Sequence, residues 1–211
     1  MKKGLFISFE GTDGAGKSTQ IAFAEDFFRR RGYEVVMTRE PGGTPISEKL
    51  REILLDKSNS EMNAVTELMI YAAARAQLVS EVIRPALEAG AVVICDRFVD
   101  SSIAYQAYGR RLGDVVRTVN SYAVGDTMPA LTIFMDIDPA IGRSRIGKTA
   151  MDRLEQESID FFYRVYNGYR EIAASEPERV RAIDASRTIE EIRADIEDAL
   201  YECIEKAGAD E

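Results

Sequence analysis

The chain has 211 residues, 45% of them apolar, which is enough to bury the core of one domain with a small mobile insert. Its 36 acidic and 27 basic residues give a net charge of -9, which argues against a nucleic-acid backbone as the main partner. Histidine is absent, and this excludes Ser-His-Asp hydrolysis, cysteine nucleophiles activated by histidine, and metal sites built on histidine.

The two cysteines, Cys95 and Cys203, are too far apart for CxxC chemistry, and we expect both to be reduced thiols. The first apolar run is too short for a signal peptide, and no later run approaches the ~18 residues of a membrane span. We therefore expect a single cytoplasmic domain over residues 1–211 with no membrane partner.

Short apolar runs alternate with helical patterns along the chain. Strands are predicted at Leu5–Glu10, Glu34–Thr38, Ala91–Asp96, Leu131–Asp136 and Val180–Asp184. Helices are predicted at Ser18–Arg31, Ile46–Leu55, Ala64–Ala89, Ser101–Val124, Pro139–Ile146, Ser158–Ser175 and Ile189–Ala207. The third and fourth strands lack polar alternation, which is typical of parallel strands covered on both faces. The order predicts an α/β fold, a doubly wound parallel sheet of about five strands with helices on both faces.

A phosphate-binding loop directly follows the first strand. Residues 11–18 read GTDGAGKS, which matches the GxxxxGK[ST] pattern of P-loop nucleotide triphosphatases. In such a loop, backbone N–H groups surround an anion, the lysine reaches the β and γ phosphates, and the hydroxyl suits Mg²⁺. The alternative, a loop of small residues that binds nothing, is disfavoured by the flanking strand and helix. The predicted nucleotide contacts are Gly11, Thr12, Asp13, Gly14, Ala15, Gly16, Lys17, Ser18 and Thr19, with Ser18 at the metal.

Charged residues follow the next two strands at the same edge of the sheet, where ligands of such folds bind. Arg39 and Glu40 open a loop rich in glycine and proline, and Asp96 and Arg97 end the third strand. Either pair is also explained as a simple ion pair between neighbours.

An aromatic residue and an arginine share one face of the helix before the third strand. Tyr71 and Arg75 are four residues apart, so the ring can stack on a flat base while the guanidinium bonds an exocyclic oxygen. The alternative is a core tyrosine with a surface arginine.

A cluster of basic residues between Gly142 and Arg153 indicates a second mobile element. Glycines and bases together suit a lid that closes over phosphates, and a solvated basic loop is the alternative. We call residues 142–153 the lid segment.

Taken together, these motifs resemble thymidylate kinase. The resemblance covers almost the whole chain, and it rests on four segments in matching order. These are EGTDGAGKS from Glu10, TREPGGT from Thr38, DRF from Asp96 with the following SS and YQ pairs, and DRLE from Asp152.

The resemblance implies transfer of the γ-phosphoryl of ATP to dTMP, giving dTDP and ADP. By the same resemblance, Lys17 and Ser18 bind the ATP phosphates and Mg²⁺, and Asp13 lies near the acceptor. Arg39 and Arg97 hold the acceptor phosphate. Around the nucleoside, Tyr71 stacks on the thymine, Arg75 bonds its oxygen, Ser102 and Gln106 lie at the base edge, and Tyr105 excludes a ribose 2′-hydroxyl. Because the phosphate loop carries no additional arginine, a lid cation is expected to act on the transferred phosphoryl, with Arg145, Lys148 and Arg153 as candidates.

Three other functions share parts of this pattern. A deoxynucleoside kinase would need a base for a hydroxyl acceptor, and the paired acceptor arginines argue against it. A kinase for another small acceptor is the nearest alternative. A GTP switch would need DxxG and NKxD motifs, and neither occurs in a suitable context. The resemblance also implies a homodimer formed through the long helices.

Overall fold

In the computed structural model, which describes residues 4–146 and 152–208, the centre of the fold is a five-stranded parallel sheet. The strands are β1 (Leu5–Glu10), β2 (Val35–Arg39), β3 (Val92–Asp96), β4 (Leu131–Asp136) and β5 (Val180–Asp184). Their order across the sheet is β2-β3-β1-β4-β5. Strands β3 and β4 pair with opposite sides of β1. The connections that follow these strands therefore leave a crevice at the carboxyl end of β1, which is where such sheets bind ligands. The predicted sheet is confirmed, with strand starts shifted by at most one residue.

Nine α-helices are found in the described part of the chain. They are α1 (Lys17–Arg30), α2 (Pro45–Leu55), α3 (Ala64–Leu78), α4 (Arg84–Glu88), α5 (Val99–Ser102), α6 (Val115–Val124), α7 (Pro139–Ile146), α8 (Ile159–Ser175) and α9 (Ile189–Ala207). A short 3₁₀ turn, Lys57–Asn59, lies between α2 and α3. A π-helical turn, Val79–Ile83, joins α3 to α4, so the predicted helix Ala64–Ala89 is continuous apart from this turn.

The prediction of one helical stretch over Ser101–Val124 is wrong. Helix α5 continues into the π-helical turn Ile103–Gly109, and the chain then leaves helical geometry before α6 begins. Arg111 and Gly113 adopt φ of 60° and 67°, left-handed conformations that no right-handed helix accommodates.

Alternation along β1 explains why the sheet has two cores. Leu5, Ile7 and Phe9 are buried on the face covered by α1 and α9. Phe6 is buried on the other face, with side chains from α3 and α8. With both faces covered, the strands need no polar alternation. Both cysteines are buried free thiols.

No helix within residues 4–146 and 152–208 is long and apolar enough to cross a membrane. Lys148 lies outside the described residues, as does the central part of the lid segment.

Candidate active site

The phosphate loop connects β1 to α1 and leaves the start of that helix open to an anion. Gly16, at the N-cap of α1, has φ of 86° and offers no side-chain oxygen to the first N–H groups of the helix. Gly14 also has positive φ, and a Cβ there would collide with the carbonyl oxygen of Gly142 at the start of the lid segment. The loop therefore requires glycine at both positions.

Lys17 is folded back on its own loop. Its Nζ donates to the carbonyl oxygens of Gly11, at 3.2 Å, and Thr12, at 3.3 Å. Burial and the nearby positive charge of Arg97 lower the pKa of Lys17 to about 8. Among the described residues no carboxylate forms a salt bridge with this ammonium, which bonds carbonyl oxygens of an anion-binding loop.

Arg97 pairs with the phosphate loop and not with its neighbour Asp96. Its Nη2 donates to Asp13 Oδ1 at 2.7 Å, and its Nη1 donates to the hydroxyls of Ser101 and Tyr169 at 3.2 Å. Burial works against the ionised form of Asp13, but the charges of Arg97 and Lys17 bring its pKa below the usual value.

The sharp turn at Arg97 is held by a buried carboxylate. Arg97 has φ of 70°, and the next N–H, from Phe98, donates to Glu10 Oε1 at 2.6 Å. Ser101 Oγ and the Tyr169 hydroxyl donate to Glu10 Oε2. Burial and the nearby charge of Asp100 raise the pKa of Glu10 to about 8. Glu10 therefore orders the turn that points Arg97 into the cleft.

The charges of the loop after β2 also have separate partners. Arg39 forms a two-pronged ion pair with Glu48 of α2, with nitrogen–oxygen distances of 2.9 and 3.1 Å. Glu40 is buried and bonds Arg75. The interpretation of Arg39 and Glu40 as a surface pair of neighbours is therefore excluded.

Arg75 is buried, with 1% of its surface exposed, so it is not a surface arginine. Its Nε donates to Glu40 Oε2 at 2.7 Å, its Nη1 donates to Ser102 Oγ and to the Asn120 side chain, and its Nη2 donates to the Phe98 carbonyl oxygen and to Glu40. All five guanidinium donors are thus engaged by protein groups. Burial raises the pKa of Glu40 to about 6 despite this partner.

Glu67, one helical turn before Tyr71, is a second buried carboxylate with several partners. It accepts from Gln106 Nε2 at 2.9 Å, from Arg110 Nη2 at 3.0 Å and from Arg153 Nη2 at 2.7 Å. The same carboxylate therefore joins α3, the π-helical turn after α5 and the end of the lid segment.

These elements enclose one cleft of about 700 Å³. It is lined by most of the predicted site residues, namely Asp13, Gly14, Ala15, Gly16, Lys17, Ser18, Thr19, Arg39, Tyr71, Arg75, Arg97, Ser102, Tyr105, Gln106 and Arg145. Gly11 and Thr12 are not among the lining residues, but both lie in the phosphate loop that holds Lys17. Tyr71 is half-buried in the wall, and burial raises the pKa of its phenol.

Of the candidate lid cations, Arg145 lines the cleft and Arg153 does not. Arg145 Nη1 donates to the Ala185 carbonyl oxygen at 3.3 Å, at the end of the cleft beyond the phosphate loop. Arg153 Nε donates to the Leu54 carbonyl oxygen at 2.8 Å, in addition to its bond with Glu67. Lys148 is outside the described residues.

Sequence reasoning missed several residues of the site. Arg51 lines the cleft and donates to the Pro41 carbonyl oxygen at 2.8 Å, and its place one turn after Glu48 on α2 was an available signal. Glu67 and Asn120 had no such signal, because their partners come from other elements. Glu40 was singled out by its position after the second strand, but its partner Arg75 was not predicted. Ala185, Arg187, Ile189 and Ile192 line the far end of the cleft.

Comparison with known proteins decides among the kinases compatible with this cleft. The family model for thymidylate kinase matches residues 9–196. The chain belongs to the thymidylate kinase family. Thymidylate kinases are nucleoside monophosphate kinases that use ATP as phosphate donor, so the predicted enzyme class is confirmed.

Individual relatives agree with this membership. The thymidylate kinase of Geobacillus sp. (strain WCH70) is 48% identical over 196 residues, covering 91% of this chain and 93% of the relative. That of Lactobacillus delbrueckii subsp. bulgaricus is 50% identical over 197 residues, with the same coverage. The crystal structure of thymidylate kinase from Ehrlichia chaffeensis superposes with a TM-score of 0.77 at 31% identity, covering 94% of this chain and 99% of that one.

Proposed function

We propose that the cleft brings ATP and dTMP together for direct transfer of the γ-phosphoryl, with the phosphate loop at the donor and the turns after β2 and β3 at the acceptor. The observation that carries this proposal is the position of Lys17, Arg39 and Arg97, which line one cleft from three different strand ends. Two polyanions repel each other, and fixed cations on both sides of the transfer offset that repulsion.

Mg²⁺ fits the residues between the phosphate loop and the end of β3. Asp96 Oδ1 is buried and has no hydrogen-bond partner among the described residues, and the exposed Ser18 hydroxyl lies at the first turn of α1. Within residues 4–146 and 152–208 no cluster of three metal-binding side chains occurs, which suits an ion held mainly by substrate phosphates. Ser18 and Asp96 would hold the ion, which supplies positive charge to the β and γ phosphates when bound.

The acceptor needs no general base. A phosphate monoester with a second pKa near ~6 is already largely ionised at neutral pH, so the absence of histidine has no catalytic cost. Arg97, oriented by Asp13 and Tyr169, can give two parallel hydrogen bonds to the acceptor phosphate. Arg39 can do the same once it exchanges Glu48 for the phosphate. Lys17 leaves its loop carbonyls for the ATP phosphates.

The nucleoside of dTMP is assigned to the wall formed by α3 and the turn after α5. Tyr71 offers a ring for stacking, and Ser102 and Gln106 offer polar groups to the base edge. Arg75 can donate to the base once it exchanges one of its protein partners for the base oxygen. Tyr105 is packed beside Arg97, whose guanidinium carbon lies 5.3 Å from the tyrosine ring centroid. This contact supports the assignment of Tyr105 to the sugar of an acceptor whose phosphate is held by Arg97.

The donor base is assigned to the opposite end of the cleft. Arg145 and Arg187 line it together with the apolar side chains of Ile189 and Ile192. A planar guanidinium and aliphatic side chains suit an adenine ring. In this assignment Arg145 binds the donor base, and the cation at the transferred phosphoryl comes from another part of the lid segment.

We also propose a homodimer through α3 and α6, which pack against each other. Val65 and Met69 on α3 and Val115 and Tyr122 on α6 are large apolar residues with about half or more of their surface exposed. A shared apolar face of this kind suits a self-complementary interface. Light scattering that returns a mass near 23.5 kDa at micromolar concentration would contradict it.

The activity is tested by coupled ADP release with ATP, Mg²⁺ and a panel of nucleoside monophosphates. We expect ADP release to require dTMP and Mg²⁺, and Lys17→Ala to lower the rate roughly 10²-fold or more. Equal turnover of thymidine and dTMP would favour a nucleoside kinase. ADP release without an acceptor would favour a nucleotide switch.

A further inference from the structure

The amide of Gln106 has one end occupied by a buried carboxylate. Its Nε2 donates to Glu67 Oε1 at 2.9 Å, and both side chains are almost fully buried. None of the described residues donates to Gln106 Oε1, although Gln106 lines the cleft. The carbonyl oxygen is therefore the end of the amide that remains for a ligand.

Glu67 can only accept hydrogen bonds in this setting. Burial disfavours its charged form, but hydrogen bonds and charge from Arg110 and Arg153 hold its pKa below the ordinary value. An ionised carboxylate has no proton to donate, so it selects the amide nitrogen of Gln106 and rejects the amide oxygen. Reversing the amide would place two acceptors face to face in a buried site.

We propose that Glu67 is a positioning residue that fixes the Gln106 amide with its oxygen toward the base, so that the accepted base must bring a ring N–H donor. This inference rests on the assignment of Gln106 to the base edge in the proposed function. In this arrangement the selectivity for bases with a ring N–H originates from Glu67, a carboxylate that does not contact the substrate.

The chemistry of the pyrimidine edge makes the consequence specific. Thymine and uracil carry an N–H at ring position 3, whereas cytosine carries a lone pair there. A fixed carbonyl oxygen accepts from the first two and repels the third. Sites with a fixed hydrogen-bonding group reject analogues that leave it unpaired far more strongly than apolar pockets reject a missing methyl.

The test replaces the carboxylate by an amide of the same shape. In Glu67→Gln the new side chain can meet either end of Gln106, so the orientation is no longer fixed. We expect the preference for dTMP over 5-methyl-dCMP, measured as the ratio of kcat/KM, to fall roughly tenfold or more. The lower kcat/KM for dTMP should result from a higher KM, and kcat at saturating dTMP should be largely unchanged.

Two controls separate orientation from damage to the pocket. The preference for dTMP over dUMP should be unchanged in Glu67→Gln, because both bases carry the ring N–H and differ only in the methyl group. Glu157→Gln weakens the other ion pair of Arg110 and alters neither Glu67 nor Gln106, so its dTMP over 5-methyl-dCMP ratio should match that of the unmodified protein. If Glu67→Gln changes the preference for dTMP over dUMP as much, or if Glu157→Gln shifts the dTMP over 5-methyl-dCMP ratio as much, the role of Glu67 is only structural.

Gln106→Leu distinguishes failure of this inference from failure of the base assignment. If Gln106→Leu leaves the ratio of kcat/KM for dTMP over 5-methyl-dCMP unchanged, Gln106 does not contact the base. The assignment on which the inference rests is then overturned. If Gln106→Leu reduces the ratio and Glu67→Gln does not, the inference alone is overturned.

A measurement on the unmodified protein covers the case in which Glu67→Gln does not fold. The side-chain amide protons of Gln106, observed by NMR without substrate, should exchange with solvent much more slowly than those of the exposed Gln156. Equal exchange rates would mean that the bond to Glu67 is absent and would overturn the proposal.

Discussion

Arg97 and Asp13 are joined by a 2.7 Å hydrogen bond between Nη2 and Oδ1, which links the turn after β3 to the phosphate loop. The proposed acceptor site and the phosphate loop are therefore in direct contact. A change at one of the two residues should alter both halves of the reaction.

Arg97→Lys keeps the charge but removes the planar fork that contacts Asp13, Ser101 and Tyr169 at once. We expect KM for dTMP to rise roughly tenfold and kcat to fall, because two-pronged binding of the phosphate is lost. Steady-state kinetics would show this. The matched control is Arg30→Lys, an exposed arginine paired with Asp26, which should leave both constants unchanged.

Lys17 should make ATP binding dependent on pH. Its pKa is lowered to about 8 in the free protein, and bound phosphates favour the ammonium, so binding raises that pKa again. Proton uptake on ATP binding is then expected near pH ~8, and affinity should fall as the pH rises further. Calorimetry in buffers of different ionisation enthalpy measures the uptake. Lys17→Arg should abolish it, and identical heats for the unmodified protein in all buffers would contradict the prediction.

Glu10 should contribute to stability at low pH and lose that contribution as the pH rises. Its folded pKa is raised from 4.5 to about 8, so the folded state holds the proton more tightly than the unfolded state between those values. The contribution is complete below pH ~4.5 and is lost as the pH passes ~8. Glu10→Gln stays neutral, so its free energy of unfolding relative to the unmodified protein should improve from pH ~5 to ~9. Urea unfolding curves that keep a constant separation across this range would refute the assignment.

Arg75→Met should destabilise the fold by about 3–5 kcal/mol, because it leaves the buried Glu40 carboxylate without its cation. Combining it with Glu40→Gln should recover part of the loss. Urea unfolding of both single variants and the double variant measures the coupling. Additive effects of the two substitutions would mean that the pair is not energetically linked.

The lid segment should affect rate more than binding. A cation that meets developing phosphoryl charge stabilises the transition state more than the ground state. We expect at least one of Arg145→Ala, Lys148→Ala and Arg153→Ala to lower kcat roughly 10²-fold with little change in KM for dTMP. Because Arg145 is assigned to the donor base, Arg145→Ala should mainly raise KM for ATP, and the loss of kcat is expected in one of the other two variants. If all three variants keep a near-normal kcat, the lid segment is a solvated loop without a catalytic role.

The sequence by itself determined the parallel sheet, the phosphate loop and most of the residues that line the cleft. These features depend on local order: apolar runs of strand length, glycines where φ is positive, and functional side chains directly after strand ends. Parallel strands bring those ends to one edge of the sheet whatever the loops do. Gly11 to Ser18, Arg39 and Arg97 were therefore predictable from position alone.

Only the tertiary structure decided which charges are paired and which are buried. In the sequence, Glu40 and Glu67 are indistinguishable from surface carboxylates on a loop and a helix. Each becomes buried because another element brings it a guanidinium, Arg75 for Glu40 and Arg110 with Arg153 for Glu67. Such a partner lies tens of residues away in the chain, and the burial that makes the pair important arises only when the helices pack.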